Sequence, residues 1–189
     1  MALAGGAAVP PAQAAATAEA EAEAVAACVD CHGTASGEPV TPETPALAGL
    51  TELYALYQLV YFRSGQRKNE IMSELVREMS DDDLRALAAW VGSLPLPEPR
   101  GGPVDRALHD RGAALVRSHG CGSCHEPDLS GREHLPRLAG QQEAYLLAAL
   151  RDYKAGRRVG LQAAMAEVLS PMTDDDLVAM AHFMANAGR

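Results

Sequence analysis

An all-α fold, built from one helical unit repeated in tandem, is predicted by three observations. The 189-residue chain is poor in strand formers: it has one isoleucine (Ile71), two Phe, one Trp and five Tyr. Strands favour β-branched and aromatic side chains. Ala, Leu, Glu and Arg dominate instead, and these favour helix. The chain also repeats itself. Cys28, His32 and the run Asp81-Asp82-Asp83-Leu84 recur 93 residues later as Cys121, His125 and Asp174-Asp175-Asp176-Leu177. Between these anchors Pro45-Ala46-Leu47-Ala48-Gly49 matches Pro136-Arg137-Leu138-Ala139-Gly140 at an offset of 91, as do Tyr54 with Tyr145 and Phe62-Arg63-Ser64-Gly65 with Tyr153-Lys154-Ala155-Gly156. Self-similarity over this distance marks a duplicated domain. Two half-size units with so few aromatics have thin cores, and something else must fill them.

The elements follow in order. Residues 18–29 read as a first helix, 51–63 as a middle helix and 81–93 as a closing helix carrying Trp90. The run from Leu94 to Pro103 holds four prolines and two glycines, which break periodicity and stiffen a linker. The plan then repeats with helices near 105–120, 142–154 and 174–187, Phe183 standing where Trp90 stood. The predicted organisation is a first domain over 18–94, a linker over 95–104 and a second domain over 105–189. Gly112, nine residues before Cys121, suits a tight crossing of first and last helices; its counterpart is Glu19.

Composition excludes some functions. With 16 Lys+Arg against 25 Asp+Glu the formal charge is −9, whereas a nucleic-acid binder needs a basic face. No run of 18 apolar residues is present, so no ordinary transmembrane helix is predicted. Residues 1–97 carry 13 acids and 5 bases, and 98–189 carry 12 acids and 11 bases. The first half therefore presents an acidic face that could orient docking on a basic partner.

The four cysteines form two C-x-x-C pairs, each followed at once by histidine: Cys28, Cys31 and His32, then Cys121, Cys124 and His125. C-x-x-C-H is the attachment signature of c-type haem. Two thiols reach two vinyl groups of one porphyrin, and the adjacent imidazole reaches the iron. The competing readings are a thioredoxin-like dithiol, a zinc shared by the two pairs, and a disulfide. The first wants a βαβ context, and the second does not call for histidine after both pairs.

A methionine downstream supplies the second axial ligand in class I cytochromes c. Two methionine pairs repeat at offset 93: Met72 with Met165, and Met79 with Met172. Met79 and Leu84 flank the N-cap Ser80 as a hydrophobic staple, and the acids after it suit a helix N-terminus. Met172 and Leu177 do the same around Thr173. Met72 and Met165, each 40 residues after its histidine, are the candidate iron ligands, with plain core packing as the alternative. His/Met ligation leaves no open coordination position, which suits an electron carrier and not an enzyme.

The run P-R-L-A-G-Q-Q-E-A-Y-L from Pro136, then Y-K-A-G-R-R, Met165 and M-T-D-D-D-L, resembles the second half of the dihaem cytochrome c4 family. P-A-L-A-G-L from Pro45, Q-L-V-Y-F-R-S-G-Q-R, Met72 and M-S-D-D-D-L show the same order. The resemblance spans about residues 18–188. It implies two tandem class I cytochrome c domains, two covalently attached haem c groups close together at the interface, and electron transfer toward a terminal oxidase. It also implies that the carbonyls of Pro45 and Pro136 accept the N–H of the proximal histidines, a loop proline being the alternative at each. Three positions depart from the pattern: Glu126 follows His125 where the family has Gly, Leu50 replaces the Gln found at Gln141, and Glu19 replaces the glycine. Arg63, Lys154, Arg67 and Arg158 recur in both halves as candidates to pair with haem propionates, or as solvated helix-end charge. His109, His119, His134 and His182 do not repeat and read as surface or core.

Haem attachment of this kind takes place outside the cytoplasm, so a periplasmic location is expected. Residues 1–17 carry no charge and resemble the end of an export signal, or else a disordered alanine-rich tail. The expected role is single-electron transfer between a respiratory donor and a terminal oxidase, as a monomer or as a complex subunit. Membrane association through the leader stays open. The alternative is an electron-accepting subunit of a dehydrogenase complex, such as a flavocytochrome sulfide dehydrogenase.

Overall fold

Alanine carries the first helix further than its amphipathic part requires. In the computed structural model, which describes residues 11–33, 39–96, 104–158 and 163–188, α1 runs Pro11–His32. It begins earlier than the predicted residue 18 because the alanine-rich run has the highest helix propensity and Pro11 suits a first helical turn. It also continues through the first C-x-x-C-H motif. Residues 1–10 and 97–103, which hold part of the predicted tail and most of the linker, lie outside the described residues.

The rest of the first half is α2 (Glu52–Arg63), α3 (Glu70–Val76) and α4 (Asp81–Ser93). The second half is α5 (Arg106–Ser118), α6 (Gly122–His125), α7 (Glu143–Lys154), α8 (Ala163–Leu169) and α9 (Asp174–Asn186). Among the described residues the sole β feature is an isolated bridge between Arg132 and Leu135. The short helices α3, α6 and α8 escaped the sequence reading because one or two turns show no periodicity. Two of them carry the candidate methionines.

In each half the closing helix is the packing centre: α1 and α2 lie on α4, and α5 and α7 on α9. Val76, Leu84, Leu87, Ala88 and Val91 are buried in the first half, and Leu169, Leu177, Met180, Ala181 and Met184 in the second. A β-carbon at Gly112 would sit 2.0 Å from the Ala179 carbonyl oxygen and 2.7 Å from the Phe183 Cβ. The tight α5/α9 crossing therefore requires glycine.

The closing helices are capped alike. Ser80 and Asp83 form a capping box on α4, and Thr173 and Asp176 form one on α9. Leu84 and Leu177 are buried beneath them, and so is Met172. Arg63 and Lys154 serve the same corner and are not free for propionates. Arg63 donates to the Met79 carbonyl (2.7 Å) and pairs with Asp81. Lys154 donates to the carbonyls of Ser170 (2.8 Å) and Met172 (2.5 Å).

Two predictions follow from this packing. Gly112→Ala forces the α5/α9 crossing apart and should destabilise the second domain by about 3 kcal/mol in denaturant titrations. The Thr173 hydroxyl and backbone N–H, with Arg111, hold the Asp176 carboxyl down to about 2. A depressed carboxylate stabilises the fold above its unfolded pKa of about 4 and loses that contribution as pH falls toward the folded value. Melting temperature should therefore fall between about pH 4 and pH 2, and Asp176→Asn should flatten that part of the profile.

Candidate haem sites

Each C-x-x-C-H motif ends a helix, so its histidine is delivered to the interior by a rigid turn. His32 closes α1 and His125 closes α6, and both are buried. His32 Nδ1 lies 2.7 Å from the Pro45 carbonyl oxygen, and His125 Nδ1 lies 2.9 Å from that of Pro136. A carbonyl only accepts, so Nδ1 carries the proton in both rings and Nε2 keeps its lone pair for a ligand. Burial lowers both imidazole pKa values and keeps the rings neutral, the protonation state a metal ligand needs.

Both rings open on one continuous cavity of about 360 Å³ that spans the two domains. Cys28, Pro45 and Met72 line it from the first domain, and Cys121, Cys124, Pro136 and Met165 from the second. The remaining wall is largely apolar, with Leu47, Leu59 and Phe62 on one side and Leu146, Leu150 and Met184 on the other. Cys31 sits one turn beyond Cys28 on α1 and is half-buried. All four cysteines are free thiols, and burial pushes those of Cys28 and Cys121 up. Among the described residues no group of three or more His, Cys, Asp or Glu side chains converges as a metal site. The two C-x-x-C pairs therefore do not meet around a shared zinc.

Met72 and Met165 are half-buried on α3 and α8, packed at the edge of the core of their own domain, and both face this cavity. Met79 and Met172 do not line it. Of the two methionine pairs, the cavity is thus lined by the candidate ligands alone. Of the unrepeated histidines, His119 and His134 reach the cavity. His109 packs edge-on against Phe183, and His182 is buried between the Asp105 backbone N–H and Glu143.

The polar part of the cavity lies between the domains. Arg67 of the first domain donates to Tyr145 of the second (3.2 Å), and Arg158 of the second donates to Tyr54 of the first (3.1 Å). These are equivalent pairs under the internal repeat, so the halves exchange arginine–tyrosine contacts. Gln58 accepts from Arg67 at 2.7 Å and from Arg158 at 3.4 Å. Among the described residues neither arginine has a carboxylate partner. Burial raises the Tyr145 phenol, yet the two guanidiniums outweigh it and hold the pKa well below its ordinary value. Among the described residues, Arg158 Nε and Gln58 Nε2 are buried donors without a partner. A buried cation without a carboxylate partner, as at Arg158, and orphaned donors are costly, and such a site calls for an anion. A porphyrin with carboxylate side chains fits this lining: thiols and imidazole at one edge, apolar walls, a methionine, and cationic donors at the domain boundary.

This arrangement is that of a pair of class I cytochrome c domains. The chain matches the cytochrome c family model over residues 109–188 and that of the cbb3-type cytochrome c oxidase subunit III over 13–91. It is 31% identical to cytochrome c4 of Pseudomonas aeruginosa, covering 92% of this chain and 90% of that one. It is 33% identical to a thiosulfate dehydrogenase electron acceptor of Stutzerimonas stutzeri, covering 86% and 80%. The crystal structure of reduced cytochrome c4 from Pseudomonas stutzeri superposes with a TM-score of 0.79 at 31% identity, covering 90% and 98%. The chain belongs to the dihaem cytochrome c4 family of electron carriers, and it lies close to the thiosulfate dehydrogenase electron acceptors as well.

The departure at Glu126 has a structural cost. Glu126 sits at φ 69°, ψ 152°, a conformation favourable only to glycine, and its equivalent Gly33 has φ 71°. Relief of that strain exceeds the extra unfolded-chain entropy of glycine and the loss of an exposed ion pair with Arg132. Glu126→Gly should stabilise the protein by about 1 kcal/mol, read as a higher denaturation midpoint with an unchanged slope.

Proposed function

We propose that this chain carries two covalently attached haem c groups and moves single electrons in the periplasm between a respiratory donor and a terminal oxidase. The observation that carries this is the shared cavity, on which two proline-held imidazoles, two methionines and two arginines without a carboxylate partner among the described residues converge. Cys28 and Cys31, and Cys121 and Cys124, would form the thioethers. His32 with Met72, and His125 with Met165, would hold the two irons. Arg67, Arg158, Tyr54, Tyr145 and Gln58 would hold the carboxylates.

A haem iron supplies a one-electron change of oxidation state. The chain's own residues set its character. The methionine thioethers favour the reduced metal, and the proline carbonyls fix the imidazole orientation and basicity. The apolar walls would pack against the faces of the porphyrin. With His32 and Met72, and His125 and Met165, as its ligands, each iron would have no position left for a substrate.

A second reading takes its support from the thiosulfate dehydrogenase electron acceptor named above. In that reading the chain accepts electrons from a dehydrogenase acting on thiosulfate, the counterpart of the sulfide-oxidising complex expected from sequence. The shared fold and ligand set serve either role.

The test is a haem count and redox titration on exported protein. Two covalent haems per chain and no carbon monoxide binding are expected. Met165→Ala should lower one potential and open one haem to carbon monoxide, leaving the other unchanged, and Met72→Ala should do the same to the other. One haem, or carbon monoxide binding by the native protein, would overturn the carrier reading. Rapid reduction by a thiosulfate dehydrogenase supplied with thiosulfate would select the second reading.

A further inference from the structure

We propose that Gln141 is a positioning residue through which the second domain tunes the haem of the first, with no return device. This rests on the reading above, in which His32 and His125 are iron ligands.

The Gln141 side chain is buried and crosses the domain boundary. Its Oε1 accepts the Ala46 N–H at 2.8 Å, and its Nε2 donates to the Ala46 carbonyl at 2.9 Å. The Gln142 N–H also donates to Oε1, at 2.8 Å, which fixes the amide from its own domain. The Ala46 N–H belongs to the same planar peptide group as the Pro45 carbonyl. That carbonyl accepts the His32 Nδ1–H at 2.7 Å. One peptide unit is therefore held at both ends: by a glutamine of the second domain at its N–H, and by the first domain's imidazole at its oxygen.

Hydrogen bonds in such a chain polarise one another. An acceptor on the Ala46 N–H makes the Pro45 oxygen a stronger acceptor. A stronger acceptor at Nδ1–H makes the imidazole a more basic ligand, which favours the oxidised metal. Gln141 thus lowers the potential of the first haem.

Among the described residues the second domain has no equivalent. The repeat places Leu50 where Gln141 stands, and leucine offers no donor or acceptor to the Pro136–Arg137 peptide. That peptide is instead packed from within its own domain by Gly131, where a β-carbon would lie 2.4 Å from the Pro136 carbonyl carbon. The two imidazoles are buried alike (8% and 6% exposed), yet the bond at His32 is the shorter, 2.7 against 2.9 Å.

The experiment uses the intact dihaem protein with Gln141→Met, which keeps the volume and removes the amide, and Gln141→Glu, which keeps an acceptor for the Ala46 N–H. The haems are told apart by which potential falls in Met72→Ala and which in Met165→Ala. Gln141→Met should raise the potential of the first haem and leave the second unchanged, although the mutated residue lies in the second domain. Exchange of the His32 ring N–H should quicken about tenfold, the scale of one hydrogen bond, with His125 unaffected. Gln141→Glu should not raise the first potential. A packing role alone would leave both potentials in place in the Met variant.

No shift, equal shifts, or a shift confined to the second haem would overturn the inference. Should the variants not fold, native exchange decides: the His32 ring N–H exchanging more slowly than that of His125 supports the proposal, and equal rates overturn it. A native protein without two six-coordinate haems would defeat the functional reading, and this inference with it. Two such haems with no Gln141 effect would defeat this inference alone.

Discussion

A buried imidazole must have its N–H satisfied, and a neutral one then has a single lone pair to offer. That constraint orders the structure. The Pro45 and Pro136 carbonyls take the Nδ1 protons of His32 and His125, and the other ring nitrogen is left for the cavity. The helices serve this arrangement. α1 and α6 deliver the rings, α3 and α8 bring Met72 and Met165 to the cavity wall, and the capped α4 and α9 anchor the rest. With two phenylalanines and one tryptophan in the whole chain, the side chains do not close the interior by themselves. A rigid apolar group would complete the core as well as the chemistry.

Electrostatics makes the same demand. Arg67 and Arg158 lie at the seam of the domains, hydrogen-bonded to phenols and an amide. A buried guanidinium such as that of Arg158, without a carboxylate partner among the described residues, costs several kcal/mol, more than its hydrogen bonds return. Each comes from one domain and reaches a tyrosine of the other, so an anion bound here closes the domain interface and the cofactor site in one event.

Much of this was legible in the sequence, because the features concerned are local. C-x-x-C-H, the S-D-D-D and T-D-D-D caps and the repeat offsets are short-range patterns, and closing helix α4 falls on its predicted residues. Local sequence also divides Met72 and Met165 from Met79 and Met172, and of the four only the first two line the cavity. What the sequence concealed is non-local. Arg63 and Lys154 repeat as faithfully as Arg67 and Arg158, yet the first pair ties down carbonyls after α3 and α8 while the second crosses the interface. Repetition shows that a residue has an equivalent role in both halves. It does not show whether that role lies within a domain or between domains. Gln141 was visible only as a residue without a match in the first half.

Two domains with the same ligand set would hold two centres of the same potential, and a carrier with equal centres has no internal direction for its electron. Any difference must come from residues outside the ligand set. The unmatched positions sit where such a difference can arise. Gln58 faces Ala149 in the repeat and takes both arginines, and Gln141 faces Leu50 and bonds the peptide that holds His32. Glu126 replaces glycine directly after His125. The first half also carries nearly all of the net negative charge, which favours oxidised iron there and works in the same sense as the Gln141 hydrogen bond. The duplication supplies the two sites, and the departures from its symmetry, concentrated at the seam and beside the proximal histidines, make one of them the better donor.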